Sequence, residues 1–273
     1  MIREMLENVR EKRPLVHNIT NYVTVNDCAN AIIAIGGSPI MSDEVRDVRD
    51  ITSICNALNI NIGTLNKNTI KAMYTAGKTS EKLSHPIILD PVGAGASKMR
   101  TNTSKGLINK ISFSVIRGNI SEIKALALGN ASTKGVDADV EDKITEENIG
   151  SVISFAKRFS KETGATIAIT GEIDIIADKN VAYIVKNGHS MMSKITGSGC
   201  MLSAVIGAFI GANPENITES VLSAICVMGV CGERAFNRMT ETDGNATYRT
   251  YLIDELYNID GDVLEENAKY EMR

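Results

Sequence analysis

The stretch Lys194-Ile-Thr-Gly-Ser-Gly-Cys-Met-Leu202 is a glycine-rich loop that leads directly into an apolar segment. Apolar residues continue at the spacing of one helix face, at Leu202, Val205, Ile206 and Phe209. The sequence therefore predicts a tight loop followed by a helix. The N-terminus of this helix comprises Gly197, Ser198, Gly199 and Cys200. Free N–H groups and the helix dipole favour an anion at such a place, phosphate above all.

Two interpretations of Cys200 are open on this evidence. A thiol at a helix N-terminus is expected to have a lowered pKa, which suits a reactive group. A small core cysteine beside a glycine-rich turn would give the same pattern. The loop by itself does not separate the two, so the rest of the chain has to decide.

The composition is that of a globular protein. With 273 residues, 43% of them hydrophobic, the chain can bury a large core, and we expect a single domain over residues 1–273. The net charge is −4 and no run of Lys or Arg occurs, which argues against nucleic acid and against an anionic membrane surface as partners. The longest apolar stretch, residues 201–212, is too short to cross a bilayer.

The cysteines indicate a reducing compartment. They are odd in number and form no CxxC motif, and they stand at Cys28, Cys55, Cys200, Cys226 and Cys231. Residues 1–13 are charged and lack an apolar signal core. We therefore expect free thiols and a cytoplasmic protein.

Strand and helix patterns alternate along the chain. Strands are expected at 15–17, 39–41, 59–62, 86–89, 113–116 and 166–169, with antiparallel edge strands at 173–177 and 181–185. Helices are expected at 1–13, 21–35, 45–58, 66–82, 103–111, 148–163, 198–212 and 247–257, with others starting near 119 and at an Asn213 cap. The polar C-terminal tail is expected to be frayed. This alternation predicts an α/β fold with a mostly parallel central sheet flanked by helices in αβα layers.

The expected strand ends carry the candidate site. In open α/β sheets, ligands bind beyond the carboxyl ends of the strands. Those ends carry His17, Met41, Gly63, Asp90, Arg117 and Thr170. We expect these residues to lie along one rim of the sheet.

The residues at this rim have the chemistry that phosphoryl transfer needs. Asp90, before a Gly-Ala-Gly turn, suits Mg²⁺, which prefers one or two carboxylates together with phosphates. Arg117 can grip phosphate oxygens, Glu122 lies in the first turn of a helix, and Thr170 can bond a nucleotide. Each has an ordinary alternative: a solvated turn aspartate, a surface arginine, a charge that complements the helix dipole, and a plain turn.

Common nucleotide motifs do not explain the rim. No Walker A motif occurs, and the glycine-rich loop is not a dinucleotide fingerprint because Leu202 stands at its third glycine position. A phosphate-binding site at this rim would therefore use neither a Walker A loop nor a dinucleotide-binding loop.

A series of stretches points to a known family. They are Pro14-Leu-Val-His-Asn-Ile-Thr-Asn21, Gly36-Gly-Ser-Pro-Ile-Met41, Asn61-Ile-Gly-Thr64, Ile88-Leu-Asp-Pro-Val-Gly-Ala-Gly-Ala96, Ile116-Arg-Gly-Asn119 with Glu122, Ala168-Ile-Thr-Gly-Glu172 and Thr196-Gly-Ser-Gly-Cys200. In these stretches and their order the chain resembles the hydroxyethylthiazole kinases of the ribokinase-like superfamily. The last stretch also resembles hydroxymethylpyrimidine phosphate kinases, whereas the two amino-terminal stretches are similar to the thiazole enzymes.

The resemblance implies a reaction and a set of roles. It implies transfer of the γ-phosphate of ATP to the hydroxyl of 4-methyl-5-(2-hydroxyethyl)thiazole. By motif, Asn21, Met41, Gly63 and Gly197 would contact the thiazole, Arg117 and Thr170 would contact ATP, and Asp90 and Glu122 would hold Mg²⁺ directly or through water. Cys200 would take the place of an aspartate in many sugar-kinase relatives, beside an anion hole formed by Gly197, Ser198 and Gly199. The family is typically a homotrimer with the thiazole site at the subunit boundary.

Three other functions are compatible with parts of this sequence. Hydroxymethylpyrimidine or pyridoxal phosphorylation would use the same fold. An acyl-transfer enzyme with Cys200 as nucleophile would need a base, for which His17 and His189 are candidates. A non-catalytic metabolite-binding protein would not need the set of Asp90, Glu122, Arg117 and Cys200.

Overall fold

Nine strands form one sheet in the computed structural model, which describes residues 1–127 and 143–273. The strands are β1 Leu15–Ile19, β2 Ser38–Met41, β3 Ala57–Asn61, β4 Ile87–Asp90, β5 Val115–Gly118, β6 Thr166–Ile169, β7 Asp174–Ala177, β8 Ala182–Val185 and β9 Tyr270–Met272. The helices are α1 Ile2–Lys12, α2 Val25–Ile35, α3 Val48–Ile54, α4 Lys67–Lys82, α5 Lys98–Ile108, α6 Ile120–Ala127, α7 Ile149–Thr163, α8 Ser198–Ala212, α9 Ile217–Asn237, α10 Asn245–Asn258 and α11 Gly261–Asn267.

The sheet is parallel over most of its width. Its strand order is β2-β1-β3-β4-β5-β6-β7-β8-β9. The pairs from β2 to β6 are parallel, and those from β6 to β9 are antiparallel. The predicted α/β class and mostly parallel sheet are confirmed, and so is the antiparallel pairing of the strands expected at 173–177 and 181–185. Their expected place at the edge is wrong, because β9 pairs with β8 and lies outside it.

Helices cover both faces of the sheet. One apolar core joins residues of α1, α2, α8, α9 and α10 to the sheet face that carries Val16, Ile88, Val115 and Ala168. A second core joins α4, α6 and α7 to the opposite face, which carries Leu58, Leu89, Ile116 and Ile167. Successive strand residues alternate between the two cores, as the pleat requires. The αβα layering is therefore confirmed.

The helix expected over 45–58 is wrong at its C-terminal end. Helix α3 ends at Ile54, and Cys55 is extended, with φ −90° and ψ 158°. The next residues pair on both sides, with β1 and with β4. This stretch is a strand because a central position in the sheet buries it on both faces, which the local helical spacing did not reveal.

Two further expectations near the C-terminus are wrong. Asn213 does not begin a helix: it follows the last residue of α8 and donates from Nδ2 to the carbonyls of Phe209 and Met5, while α9 begins after Asn216. The polar tail is not frayed, because Tyr270–Met272 pairs with β8 and adds an outer strand to the sheet. Pairing with a partner distant in sequence orders the tail in spite of its polar composition.

The connection after β1 also differs from the expectation. Strand β1 continues to Ile19, and α2 begins at Val25 rather than at residue 21. Residues 20–24 therefore form a loop, which brings Asn21 and Thr24 beside the start of α8. No helix in the described part of the chain is long and apolar enough to cross a membrane.

Candidate active site

Because side chains alternate between the two faces of a strand, the polar side chains at the strand ends point towards α8. Ile88, Val115 and Ala168 contribute to the core beneath α8, so the residues two positions further on point to the same side. Those residues are Asp90, Arg117 and Thr170. The structure brings together the three strand-end groups that the sequence predicts for metal and nucleotide.

Asp90 lies at the centre of the site and is fully buried. Its Oδ2 accepts hydrogen bonds from Asn61 Nδ2 and Ser203 Oγ, each at 2.8 Å, and Arg117 Nη1 lies 3.5 Å away. Burial raises the pKa of the Asp90 carboxyl to about 6, against the lowering effect of Arg117 and Ser203. Its Oδ1 is buried and has no partner in the described structure. One carboxylate oxygen is thus held by protein and the other is left for a ligand.

Arg117 joins the strand ends to the helix. Its Nη2 donates to Thr170 Oγ1 at 2.6 Å, and its side chain is 12% exposed. A Cβ at Gly199 would lie 2.8 Å from Arg117 Nη1, so only glycine lets the helix approach the guanidinium this closely. The positive end of the helix dipole and a guanidinium therefore converge on one place, which favours an anion.

Gly197 sets the start of α8. It is the N-cap residue and has φ +83°, in the left-handed region that residues with a Cβ resist. A Cβ there would clash with Thr24 Cγ2. The loop before α2 and the loop before α8 consequently touch at this glycine, and the N–H groups of the first helical turn open onto the site.

Cys200 stands in this first turn and is half-buried. Its Sγ accepts N–H bonds from Asn21 Nδ2 and Asn61 Nδ2, each at 3.2 Å. Burial raises the pKa of the thiol, and Asp90 raises it further, while the bonds from Thr24, Asn61 and Asn21 oppose the rise. The lowered pKa expected from the helix terminus is therefore wrong, because desolvation outweighs the favourable contacts.

Glu122 connects two loops. Its Oε1 accepts the N–H of Gly93 at 2.8 Å, and its Oε2 accepts the N–H of Asn119 at 2.9 Å. Both carboxylate oxygens thus already hold backbone donors. Its charge nevertheless reaches Asp90, whose pKa it raises.

The donor set fits Mg²⁺ better than a transition metal. The unpartnered Oδ1 of Asp90 is a hard oxygen ligand, and a second carboxylate stands close by. The described residues contain no group of three or more His, Cys, Asp and Glu side chains that could hold a metal. Phosphate oxygens and water would have to complete the coordination, as is usual for Mg²⁺.

A cavity of about 160 Å³ lies beside these groups. Its lining includes Asn18, Thr20, Met41, Ser42 and Thr64. Two of the predicted thiazole contacts adjoin it in sequence: Asn21 follows Thr20, and Gly63 precedes Thr64. Tyr22 also lines the cavity, and this residue is 79% exposed.

His17 is not at the rim, contrary to the expectation. It is fully buried, its Nδ1 lies 2.9 Å from Thr52 Oγ1, and its Nε2 lies 2.8 Å from the carbonyl of Ser42. His189 stacks on Phe236 and accepts the N–H of Met191. Neither histidine serves as a base for Cys200, so the geometry does not favour the acyl-transfer function.

Sequence reasoning missed two residues that contact Asp90. Asn61 appeared only within a family stretch, and Ser203 was not singled out. A signal was present for each: Asn61 is, with Asn59, one of two polar residues on a fully buried strand, and Ser203 is a hydroxyl in an apolar helix three residues after Cys200. Buried polar groups in such places need partners, and Asp90 is the partner of both.

The fold is shared with known kinases. The solved structure of the pyridoxal kinase from Staphylococcus aureus in complex with AMP-PCP aligns with a TM-score of 0.63 at 15% identity, covering 95% of this chain and 97% of that one. This likeness concerns the fold alone. The fold of this chain is therefore that of the ribokinase-like kinases.

More similar proteins define the family. The model of the hydroxyethylthiazole kinase family matches residues 6–262. A hydroxyethylthiazole kinase of Clostridium acetobutylicum is 60% identical over 271 residues, which is 99% of each chain. The structure of a hydroxyethylthiazole kinase protein from Pyrococcus horikoshii OT3 aligns with a TM-score of 0.87 at 34% identity, covering 100% of this chain and 98% of that one. The chain belongs to the hydroxyethylthiazole kinase family.

We predict that Asp90→Asn is no less stable than the wild type at pH 8. The folded-state pKa of Asp90 is raised to about 6 from 3.8, so burying its charge opposes folding above pH 6 and ceases to do so below about pH 4. An asparagine avoids this cost at every pH. Thermal unfolding followed by circular dichroism between pH 4 and 8 measures the difference, which should shrink as the pH falls.

The matched control is Asp50→Asn, which removes an exposed carboxylate. Its melting temperature should follow that of the wild type across the same range. An Asp90→Asn protein that melts well below the wild type at pH 8 would show that the charge at this position stabilises the fold.

Proposed function

We propose that the protein transfers the γ-phosphoryl group of ATP to the hydroxyl of 4-methyl-5-(2-hydroxyethyl)thiazole, as a step of thiamin salvage. The family gives the reaction, and one observation carries it to this chain: Cys200, Arg117 and the unpartnered Oδ1 of Asp90 surround the N-terminus of α8. Anion-binding donors, a cation, a metal-binding oxygen and a proton acceptor are the parts that phosphoryl transfer uses.

The anion hole is the proposed place of the moving phosphoryl group. The N–H groups of Gly197, Ser198 and Gly199 would hold its oxygens, and Arg117 would neutralise its charge from the sheet side. Thr170, which accepts from Arg117, would contact the nucleotide beside it. The bond between Arg117 and Thr170 would hold the guanidinium in place for the incoming phosphate.

Mg²⁺ is the proposed metal. Asp90 Oδ1 would ligate it directly, whereas Glu122 would act through water, because both of its oxygens accept backbone N–H groups. When bound, the ion offsets the negative charge of the phosphates. Without it, the two carboxylates would repel the triphosphate.

The thiazole is proposed to occupy the cavity beside β1 and β2. Met41 supplies an apolar wall there. Gly63, which lies against Asn21 and Asn61, and Gly197, which lies against Thr24, would contact the ring from the side of Cys200. The amide of Asn21 already donates to Cys200 Sγ. Asn21 would therefore act on Cys200, where the alcohol reacts, as well as contact the thiazole ring. Cys200 would orient the alcohol and accept its proton.

A substrate panel tests the proposal against phosphorylation of other small alcohols. With Mg-ATP, the thiazole alcohol should be phosphorylated with a higher kcat/KM than hydroxymethylpyrimidine or pyridoxal, and chelation of Mg²⁺ should abolish turnover. Product formation followed by mass spectrometry distinguishes the three. A preference for either rival would reassign the substrate within the same fold, and binding without turnover would indicate a non-catalytic protein.

Substitution of Cys200 should have asymmetric effects. Cys200→Ala should lower turnover about 10²–10⁴-fold, the range for loss of one acid–base group, with ATP binding nearly intact. Cys200→Asp should retain or raise turnover, because a carboxylate is ionised at neutral pH and can accept the N–H bonds of Asn21 and Asn61. Steady-state kinetics and ATP titration measure both effects.

Cys55→Ala is the control for this pair, since Cys55 is a buried free thiol in another part of the fold. It should keep wild-type turnover. If Cys200→Asp were as inactive as Cys200→Ala while folded and able to bind ATP, the proton-accepting role would be wrong.

The proposed assembly is a homotrimer with the thiazole site at the subunit boundary. Exposed apolar side chains support it: Tyr22 and Val23 are 79% and 59% exposed beside the cavity, and β2 is the outermost strand on that side of the sheet. Light scattering should give three times the chain mass of 29.4 kDa. A fully active monomer at the assay concentration would contradict the assembly.

The proposed compartment is the cytoplasm. All five cysteines are free thiols. Free thiols persist where glutathione and thioredoxin keep cysteines reduced, which supports this location.

A further inference from the structure

Asn61 lies between two groups to which the proposed reaction gives different roles. It is the last residue of β3 and stands opposite Asp90 in the register of β3 and β4. Its Nδ2 donates to Asp90 Oδ2 at 2.8 Å and to Cys200 Sγ at 3.2 Å. One amide nitrogen has two hydrogens, so both are used and both point at groups that are negative when ionised.

The orientation of this amide is fixed by its other end. Asn61 Oδ1 accepts the backbone N–H of Gly63 at 2.8 Å. A flipped amide would place its oxygen against Asp90 and its N–H₂ group against a backbone donor, and both contacts would be repulsive. A Cβ at Gly63 would lie 2.8 Å from Asn61 Oδ1, so glycine allows the chain to close over the amide.

A second amide acts on the same sulfur. Asn21 Nδ2 donates to Cys200 Sγ at 3.2 Å and to Asn61 Oδ1 at 3.3 Å. Its Oδ1 accepts from the N–H and the hydroxyl of Thr24, which fixes its orientation as well. Two N–H donors thus converge on one sulfur. A thiolate is the stronger acceptor, so the pair favours the charged form of Cys200.

The charged and titratable neighbours of the sulfur come from several elements. Asp90 on β4 raises the pKa of Cys200, and Cys28 on α2 is electrostatically coupled to it. Arg117 on β5 lies against Gly199, and Glu122 on α6 acts on Asp90. Between the two potential anions, Asp90 and Cys200, stands the neutral amide of Asn61, which donates to both.

We propose that Asn61 is a positioning residue of the kinase reaction: its amide couples Asp90 to Cys200, holds the sulfur in place and stabilises its thiolate. This inference rests on the proposed function, in which Cys200 accepts the proton of the alcohol. The amide permits a carboxylate and a thiolate to exist side by side, because it offers each of them an N–H group. Without it, the two charges would face each other in a buried site.

The reactivity of the thiol tests this without any substrate. Cys200 is half-buried, whereas the other four cysteines are buried, so brief treatment of the folded protein with iodoacetamide should modify Cys200 selectively. Mass spectrometry of the Cys200 peptide gives the alkylation rate at each pH. The midpoint of that profile is the pH at which half of the Cys200 side chains are thiolates.

Asn61→Ala should move the midpoint upward by about one pH unit, as expected for the loss of one hydrogen bond to a charged group. Asn61→Asp should move it further, because a carboxylate keeps the acceptor for Gly63 but replaces the donor with a third negative charge. Asn59→Ala is the matched control: Asn59 is a buried asparagine on the same face of β3, and its amide donates to Asn18 instead. Its midpoint should equal that of the wild type.

Circular dichroism establishes that each variant is folded. If Asn61→Ala does not fold, Asn21→Ala removes the other donor from a loop and should shift the midpoint in the same direction. Folded Asn61 variants with the wild-type midpoint would overturn the inference.

The kinase assay separates this inference from the proposed function. In Asn61→Ala, the acid limb of the kcat profile should move upward with the alkylation midpoint, while the KM for ATP changes little. A shift in alkylation without a shift in kcat would overturn the proton-accepting role of Cys200 and leave the coupling by Asn61 supported. An unchanged alkylation midpoint would overturn the coupling by Asn61 and would not bear on the proton-accepting role of Cys200.

Discussion

Burying the carboxylate of Asp90 is the constraint on which the site depends. A charge removed from water needs hydrogen bonds and a counter-charge, or its desolvation destabilises the fold. The groups that supply them are Asn61 on β3, Arg117 on β5 and Ser203 on α8. One carboxylate oxygen therefore ties two neighbouring strands and a helix together. The second oxygen remains unpartnered, which makes the same residue structural on one side and available to a ligand on the other.

The position of α8 follows from this contact. Ser203 lies about one helical turn after Cys200, so holding Ser203 against Asp90 places the N-terminus of α8 over the strand ends. Such a close approach leaves no space for a Cβ at Gly197 beside Thr24 or at Gly199 beside Arg117. The two glycines are thus required sterically by the close approach of α8 to the strand ends. This approach also brings the free N–H groups of the first turn of α8 to the site.

The sequence predicts the layers, the parallel sheet and most of the site, because period-2 and helical patterns and the strand-end rule are local signals. Asp90, Arg117 and Thr170 were found in this way. The prediction for His17 is wrong because β1 continues two residues beyond it, so His17 lies inside the strand and not at its end. Its side chain also faces the side of the sheet opposite that of Val16, where it contacts Thr52. The boundary between α3 and β3 was missed because pairing with β1 and β4, not local spacing, decides it. The pKa of Cys200 depends on burial, which only the assembled structure shows.

The thiol of Cys200 at the N-terminus of α8 affects the net charge of the site. Burial and Asp90 raise the pKa of Cys200, so in the free protein the thiol is mostly neutral at neutral pH. The site then presents the carboxylates of Asp90 and Glu122 against Arg117 and the helix dipole, without a third negative group to repel a triphosphate. An aspartate at this position would be a ready acceptor but would add that charge, and the two amides of Asn21 and Asn61 would have to compensate for it. Under the proposed chemistry, those amides are therefore what allows either residue type to work beside a buried carboxylate.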